Sequence, residues 1–165
     1  MGFRLFNKRN SPTKKETLYL PVSGRIIPLE ETGDPVFAKK MMGEGFAVEP
    51  SDGTIVFPVT GTISLVADTG HAFGLQTSEG LEILVHLGID TVTLKGQPFS
   101  LSLKTGEKVI GGRKAGAMDL KAIQQAGKAA TVIIAVTNSA DQLESIDIDQ
   151  SQTEAGEAMG SLIAK

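Results

Sequence analysis

Short apolar runs broken by Gly, Pro, Asp and Ser dominate the chain from Leu18 onward: LYLPVSGRIIPL, GFAVEP, GTIVFPVTGTISLV, FGLQT, LEILVHLGI, KVIGG and TVIIAVTN. Runs this short, with turn residues this frequent, are the pattern of many short strands and predict an all-β protein, an antiparallel sandwich or barrel. Two stretches follow helical spacing instead. In MDLKAIQQAG, Leu120, Ile123 and Ala126 share one face and Gly127 can stop the turn. In DPVFAKKMMG, Asp34 is placed to cap, Pro35 takes the first helical position and Gly43 lies past the end. One or two short helices are therefore expected among the strands.

One motif is echoed. PVSGRI (Pro21 to Ile26) returns as PVTGTI (Pro58 to Ile63), too short to establish a tandem repeat but enough to suggest two similar strand starts related by pseudosymmetry. Residues 1–17 break the apolar pattern and read as a flexible basic tail, leaving residues 18–165 as a single β domain. A chain of 165 residues, 41% hydrophobic, is long enough for one sizeable core and short for two. In the tail, Phe3, Leu5 and Phe6 among Arg4, Lys8 and Arg9 are compatible with weak peripheral contact with a membrane surface, although composition favours disorder.

Charge narrows the function classes. With 16 Lys and Arg against 19 Asp and Glu, the chain lacks the cationic excess that general nucleic-acid binding needs. The absence of cysteine excludes disulfides, thiolate nucleophiles and Cys-ligated zinc. No apolar run approaches the roughly 20 residues of a membrane-spanning helix, and the start lacks the apolar stretch and cleavage site of a signal peptide. These features together predict a cytoplasmic location.

Both histidines fall in TGHAFGLQTSEGLEILVHLGIDT, from Thr69 to Thr91. If TSEG is a hairpin turn with Ser78 and Glu79 at its tip, His71 stands opposite His86, Phe73 opposite Leu84 and Leu75 opposite Glu82. Opposed residues on antiparallel strands have Cβ atoms about 4.5–5.5 Å apart, so both imidazoles could act on one small group. A longer loop using Gly80 would shift this register, and a one-residue slip would put the rings on opposite faces. Two neighbouring imidazoles suit a partial metal site, an acid/base pair, or a nucleophile with a helper. From the pattern alone these alternatives stay open, beside the plain one of packed or surface histidines.

At these residues the sequence resembles the glucose-class enzyme IIA component of the phosphoenolpyruvate-dependent sugar phosphotransferase system. The resemblance rests on GHAFGL and LVHLGIDTVTLKG, supported by LPVSGRI, FPVTGTI and DPVFAKKMMG, and covers about Leu18 to Asn138. It implies a phosphotransferase component acting through a phosphohistidine: the phosphocarrier protein HPr donates to His86, and a IIB domain of a sugar permease accepts for sugar uptake. By the same resemblance His86 presents Nε2, with Nδ1–H bonded to the carbonyl of Gly88, where glycine would let a partner's backbone approach. His71 would donate to the phosphoryl oxygens and Thr69 would orient His71. Val36, Phe37, Met42, Leu84 and Val92 are expected as an apolar docking patch with Asp34 and Asp90 at its margin, each apolar position being equally compatible with a core role. Neither a metal nor a nucleotide is required, and a monomer suits a carrier that meets two partners in turn.

Three departures from the family pattern stand out. Ala67 replaces a bulkier apolar residue, so the patch should be flatter there; GGRKAGAMD (Gly111 to Asp119) replaces an alternating apolar strand and puts that strand in doubt; and SQTEAGEAMGSLIAK retains little beyond a Gly before a short apolar strand. Two rival functions remain at this level. A regulatory module of the same fold would not transfer phosphate. A zinc hydrolase would need a third ligand, with Asp68 or Asp90 as the available carboxylates.

Overall fold

The computed structural model describes residues 14–165, so the reading of the tail from Phe3 to Arg9 lies outside the described residues. Strands β7 (Glu82–Ile89) and β11 (Ala129–Val136) lie side by side at the middle of a seven-stranded sheet. β11 continues into β3 (Glu44–Pro50) and β2 (Gly24–Ile27), and β7 into β6 (Ala72–Gln76), β5 (Gly61–Val66) and β9 (Lys108–Val109). Two three-stranded sheets complete the fold. One orders β1 (Lys15–Tyr19), β13 (Ala158–Ala164) and β12 (Leu143–Ile148); the other orders β4 (Thr54–Val56), β10 (Lys114–Met118) and β8 (Phe99–Leu101). Every pairing among them is antiparallel and the sheets stay open, without closure into a barrel.

Period-two alternation explains how the central sheet is covered. Ile83, Val85 and Leu87 of β7 point into the main core with Val132, Ile134, Val136, Phe46, Val48, Phe73 and Leu75. The intervening residues Leu84 and His86 face the other way, beside Ile133 and Ala135, where Ile27, Leu29, Phe37 and Ala47 form a second, smaller apolar cluster. β11 is apolar at almost every position because it is buried on both faces. Each fully buried aliphatic side chain there contributes about 1.5–3 kcal/mol relative to exposure, so the middle strands anchor whatever they carry.

The PVSGRI/PVTGTI echo marks a pseudo-two-fold in the way the strands pair. The Tyr19 N–H donates to the Pro58 carbonyl and the Val56 N–H to the Pro21 carbonyl, both at 2.8 Å. The Gly112 N–H donates to the Phe57 carbonyl and the Gly156 N–H to the Leu20 carbonyl, again both at 2.8 Å. The hydroxyls inside the motif complete the exchange: Thr60 accepts from the Gly111 N–H and Ser23 from the Ala155 N–H, each at 2.9 Å. The operation relates the two small sheets to each other, β3 to β6, and β11 to β7. Because Gly45 pairs with Ala135 as Ala72 pairs with His86, it carries Ala135 onto His86 and Glu44 onto His71.

Three expectations are corrected. Residues 114–118 do form a strand, β10, and it is the middle strand of its sheet. Its small residues are what the packing demands: a Cβ on Gly116 would meet the Ser100 carbonyl oxygen at 2.3 Å, while Ala115 and Met118 supply the buried surface. Lys15, Glu16 and Thr17, assigned to the tail, pair in β1 with Ile163, Leu162 and Ser161, a partnership that local composition cannot report. There are three short helices among the described residues, α1 (Pro35–Ala38), α2 (Leu120–Gln125) and α3 (Ser139–Gln142). Caps fall where the sequence placed or allowed them: Asp34 accepts from the Val36 N–H at 2.9 Å, and Asp119 accepts from the Ala122 N–H at 3.0 Å. The first helix stops early because Lys40 (φ 59°) and Gly43 (φ 111°) turn the chain into β3.

Candidate active site

The β6–β7 hairpin exists, with a register one residue away from the expected one. Ala72 stands opposite His86, Phe73 opposite Val85, Gly74 opposite Leu84, Leu75 opposite Ile83 and Gln76 opposite Glu82. The cause is the loop. Thr77 binds the Leu81 N–H through its hydroxyl (3.1 Å) and the Leu81 carbonyl through its own N–H (2.9 Å), which lengthens the connection by one residue.

The imidazoles nevertheless meet, with ring centroids 5.3 Å apart and planes at 78°. His71 escapes the pleat because it precedes β6, following a turn closed by the Gly70 N–H on the Ala67 carbonyl (2.8 Å) with Gly70 at φ 70°. Its carbonyl accepts the Leu87 N–H at 2.7 Å, tying it to the strand of the other histidine.

His86 Nδ1 lies 2.7 Å from the Gly88 carbonyl oxygen. A carbonyl can only accept, so the proton resides on Nδ1 and the Nε2 lone pair is free in the neutral ring. Burial holds the His86 pKa below the usual histidine value, against the opposing pull of the Gly88 bond and the Asp34 charge. Burial likewise lowers His71, helped by the neighbouring charge of His86 when protonated. The Thr69 hydroxyl is hydrogen-bonded to His71 Nδ1, which leaves the other ring nitrogen of His71 available. Both rings are therefore neutral near pH 7, one with a fixed unprotonated nitrogen.

Gly88 serves a different purpose from the one expected. It is buried at φ 82°, and a Cβ there would lie 2.4 Å from Thr91 Cγ2 and 3.0 Å from the Ala129 carbonyl oxygen. Glycine is required by the chain's own reversal and packing, and no free surface is left at Gly88 for an incoming backbone. Phe37 also lies inward: it is 5% exposed and its ring centroid is 5.2 Å from that of His86. This places it among the residues that hold the ring. Val36 (42% exposed), Met42 (37%) and Val92 (45%) are outward-facing, and Leu84 is half-buried on the His86 face of β7. Asp34 is half-buried; Asp90 is exposed and paired with Lys128 at 2.9 Å.

Leu65 (52% exposed), Met41 (70%) and Lys128 were not foreseen. Leu65 pairs with Gly74, which in turn pairs with Leu84, so it extends the apolar surface across the sheet from His86. A Cβ on Gly74 would come within 3.3 Å of Leu65 Cβ, so the glycine makes room for the leucine. The signal was present in GTISLV but needed the register and the bulge between Ile63 and Leu65 to be read. Among the described residues no group of three or more His, Asp or Glu side chains is arranged to hold a metal ion.

Comparison with known proteins shows the family of the chain. Residues 16–142 match the family model described as phosphoenolpyruvate-dependent sugar phosphotransferase system, EIIA 1. A glucose-specific EIIA component of Staphylococcus epidermidis is 41% identical over 149 residues, covering 90% of this chain and 89% of the relative. The glucose-specific EIICBA component of Streptococcus pneumoniae is 45% identical over 150 residues, which are 91% of this chain and 19% of that longer protein. The solved glucose permease IIA from Mycoplasma capricolum superposes with a TM-score of 0.80 at 32% identity, covering 96% of this chain and 99% of that one.

Proposed function

The chain belongs to the EIIA 1 family of the phosphoenolpyruvate-dependent sugar phosphotransferase system, and on that premise we propose that it is a phosphoryl relay in which His86 accepts from HPr and donates to a IIB domain. The observation that carries the reading is the His86 Nδ1–Gly88 carbonyl bond, which leaves Nε2 unprotonated beside a second imidazole. In the accepting step the Nε2 lone pair attacks phosphorus in line. The new N–P bond forms as the donor's N–P bond breaks, and the departing donor nitrogen keeps the electron pair and is then protonated. His86 Nδ1 keeps its proton throughout. The attached phosphoryl oxygens lie next to His71, whose free ring nitrogen donates to them when it carries the proton, with Thr69 holding the ring from behind. The return step is the same chemistry with a IIB nucleophile attacking.

Val36, Met42, Leu84 and Val92, together with Leu65, supply an apolar docking surface, and Asp34 and Asp90 its acidic margin. Phe37 acts from beneath, holding the His86 ring. The stand-alone relatives are named glucose-specific, and glucose is the sugar we assign to the pathway, in the cytoplasm. No helix of the described residues is long and apolar enough to cross a membrane.

The test is mass spectrometry after incubation with phosphoenolpyruvate, enzyme I and HPr. One acid-labile phosphate, dependent on HPr and absent in His86→Ala, is the expected outcome. Unimpaired labelling of a folded His86→Ala protein would overturn the assignment.

A further inference from the structure

Thr91 is fully buried at the head of the 3-10 turn Thr91–Leu94, and the relay as described makes no use of it. Its hydroxyl donates to the Leu87 carbonyl, and its methyl packs where any side chain on Gly88 would have to go. Leu87 in turn donates its N–H to the His71 carbonyl at 2.7 Å. One peptide segment is thus gripped from two directions, by the backbone of one histidine and by Thr91. The residue that follows it, Gly88, presents the carbonyl that binds His86 Nδ1. Positive φ values at Gly88 (82°) and Asp90 (59°) fold the chain back to bring the Thr91 hydroxyl to Leu87.

We infer that Thr91 is a positioning residue for phosphoryl transfer: its hydroxyl locks the Leu87–Gly88 segment so that the Gly88 carbonyl holds His86 in the Nδ1–H tautomer. The kinetic consequence rests on the relay reading; the tautomer does not. A hydroxyl that served stability alone would leave the ratio of His86 tautomers unchanged. Thr93 provides an internal comparison, since its hydroxyl is exposed and bonds the Asp90 carbonyl at 3.0 Å in the same turn.

The experiment uses the full chain, labelled with 13C and 15N, as wild type, Thr91→Val, Thr91→Ser and Thr93→Ala. Long-range 1H–15N spectra report the His86 tautomer, and single-turnover reactions with phospho-HPr report the rate. Wild type, Thr91→Ser and Thr93→Ala should give the Nδ1–H form alone. Thr91→Val should add the Nε2–H form and slow phosphoryl acceptance roughly ten- to a hundredfold, as expected for a misplaced nucleophile. A folded Thr91→Val protein with the wild-type tautomer would overturn the inference, as would Thr91→Ser deviating equally. If Thr91→Val does not fold, the wild type decides. A slowly exchanging Thr91 hydroxyl proton coupled to the Leu87 carbonyl carbon supports the inference, and its absence overturns it. Failure of wild type to accept phosphate would defeat the relay reading separately and leave the tautomer data to judge Thr91.

Discussion

The half of the sheet built on β3 and β11 and the half built on β6 and β7 repeat the same strand pairing, yet only one carries histidines. The position of His86 is occupied in the other half by Ala135, fully buried in the second apolar cluster, and the position of His71 by Glu44. Glu44 there bridges to Lys40 at 3.1 Å on the surface. The same operation sets Thr137 where Gly88 stands, so the Ala135 half also lacks the reversal that brings a carbonyl back to the ring. The scaffold is therefore indifferent to chemistry. What distinguishes the β6–β7 half is two imidazoles, the Gly88 carbonyl hydrogen-bonded to one of them, and the Thr91 hydroxyl on Leu87 beside it.

Substitutions that erase or transplant this difference should rank by how directly they touch it. His86→Ala, which makes the reactive half resemble its copy, should abolish phosphate incorporation in the mass-spectrometric assay while the protein stays folded. His71→Ala should permit loading but slow transfer to IIB by about a hundredfold or more, the loss typical of removing one charge-stabilising donor; a rapid-quench assay with purified IIB measures it. Ala135→His should give no second phosphorylation site and should lower stability by about 1–3 kcal/mol, the cost of overfilling a packed position, read from denaturant unfolding.

The pH dependence follows from the two lowered histidine pKa values. The unfolded chain, with histidines near 6.5, binds more protons than the native state between that value and the lower native ones. The stabilisation is complete above about pH 6.5 and is lost as pH falls through this window. Unfolding curves at a series of pH values should show this slope, and His86→Ala should flatten part of it. The smallest effect belongs to Lys128→Ala. It breaks an exposed ion pair, so stability should change by less than about 1 kcal/mol. The freed Asp90 should strengthen the salt dependence of association with a cationic partner, measured by stopped flow.

Strands and caps were legible because they are local. Apolar runs between glycines located β6, β7 and β11, and Asp34 lies next to the helix it caps. Register was not legible, because it turned on the Thr77 side chain binding Leu81 across its own loop. Nor was β10, whose alanine and glycine look weak in isolation but are fixed by two neighbouring strands. In the site, the histidine pair could be named while its surroundings were mixed. Phe37 and Val36 are adjacent in sequence, but one holds the ring and the other faces solvent. The packing that requires glycine at position 88 was not legible, because the atoms a Cβ would meet come from Thr91 and Ala129.

The most direct test of the central claim is 31P and 15N NMR of the protein phosphorylated through HPr, recorded under alkaline conditions that preserve phosphohistidine. One phosphorus bonded to Nε2 of His86 is the expected result. A phosphorus on Nδ1 of His86, or on His71, would contradict it.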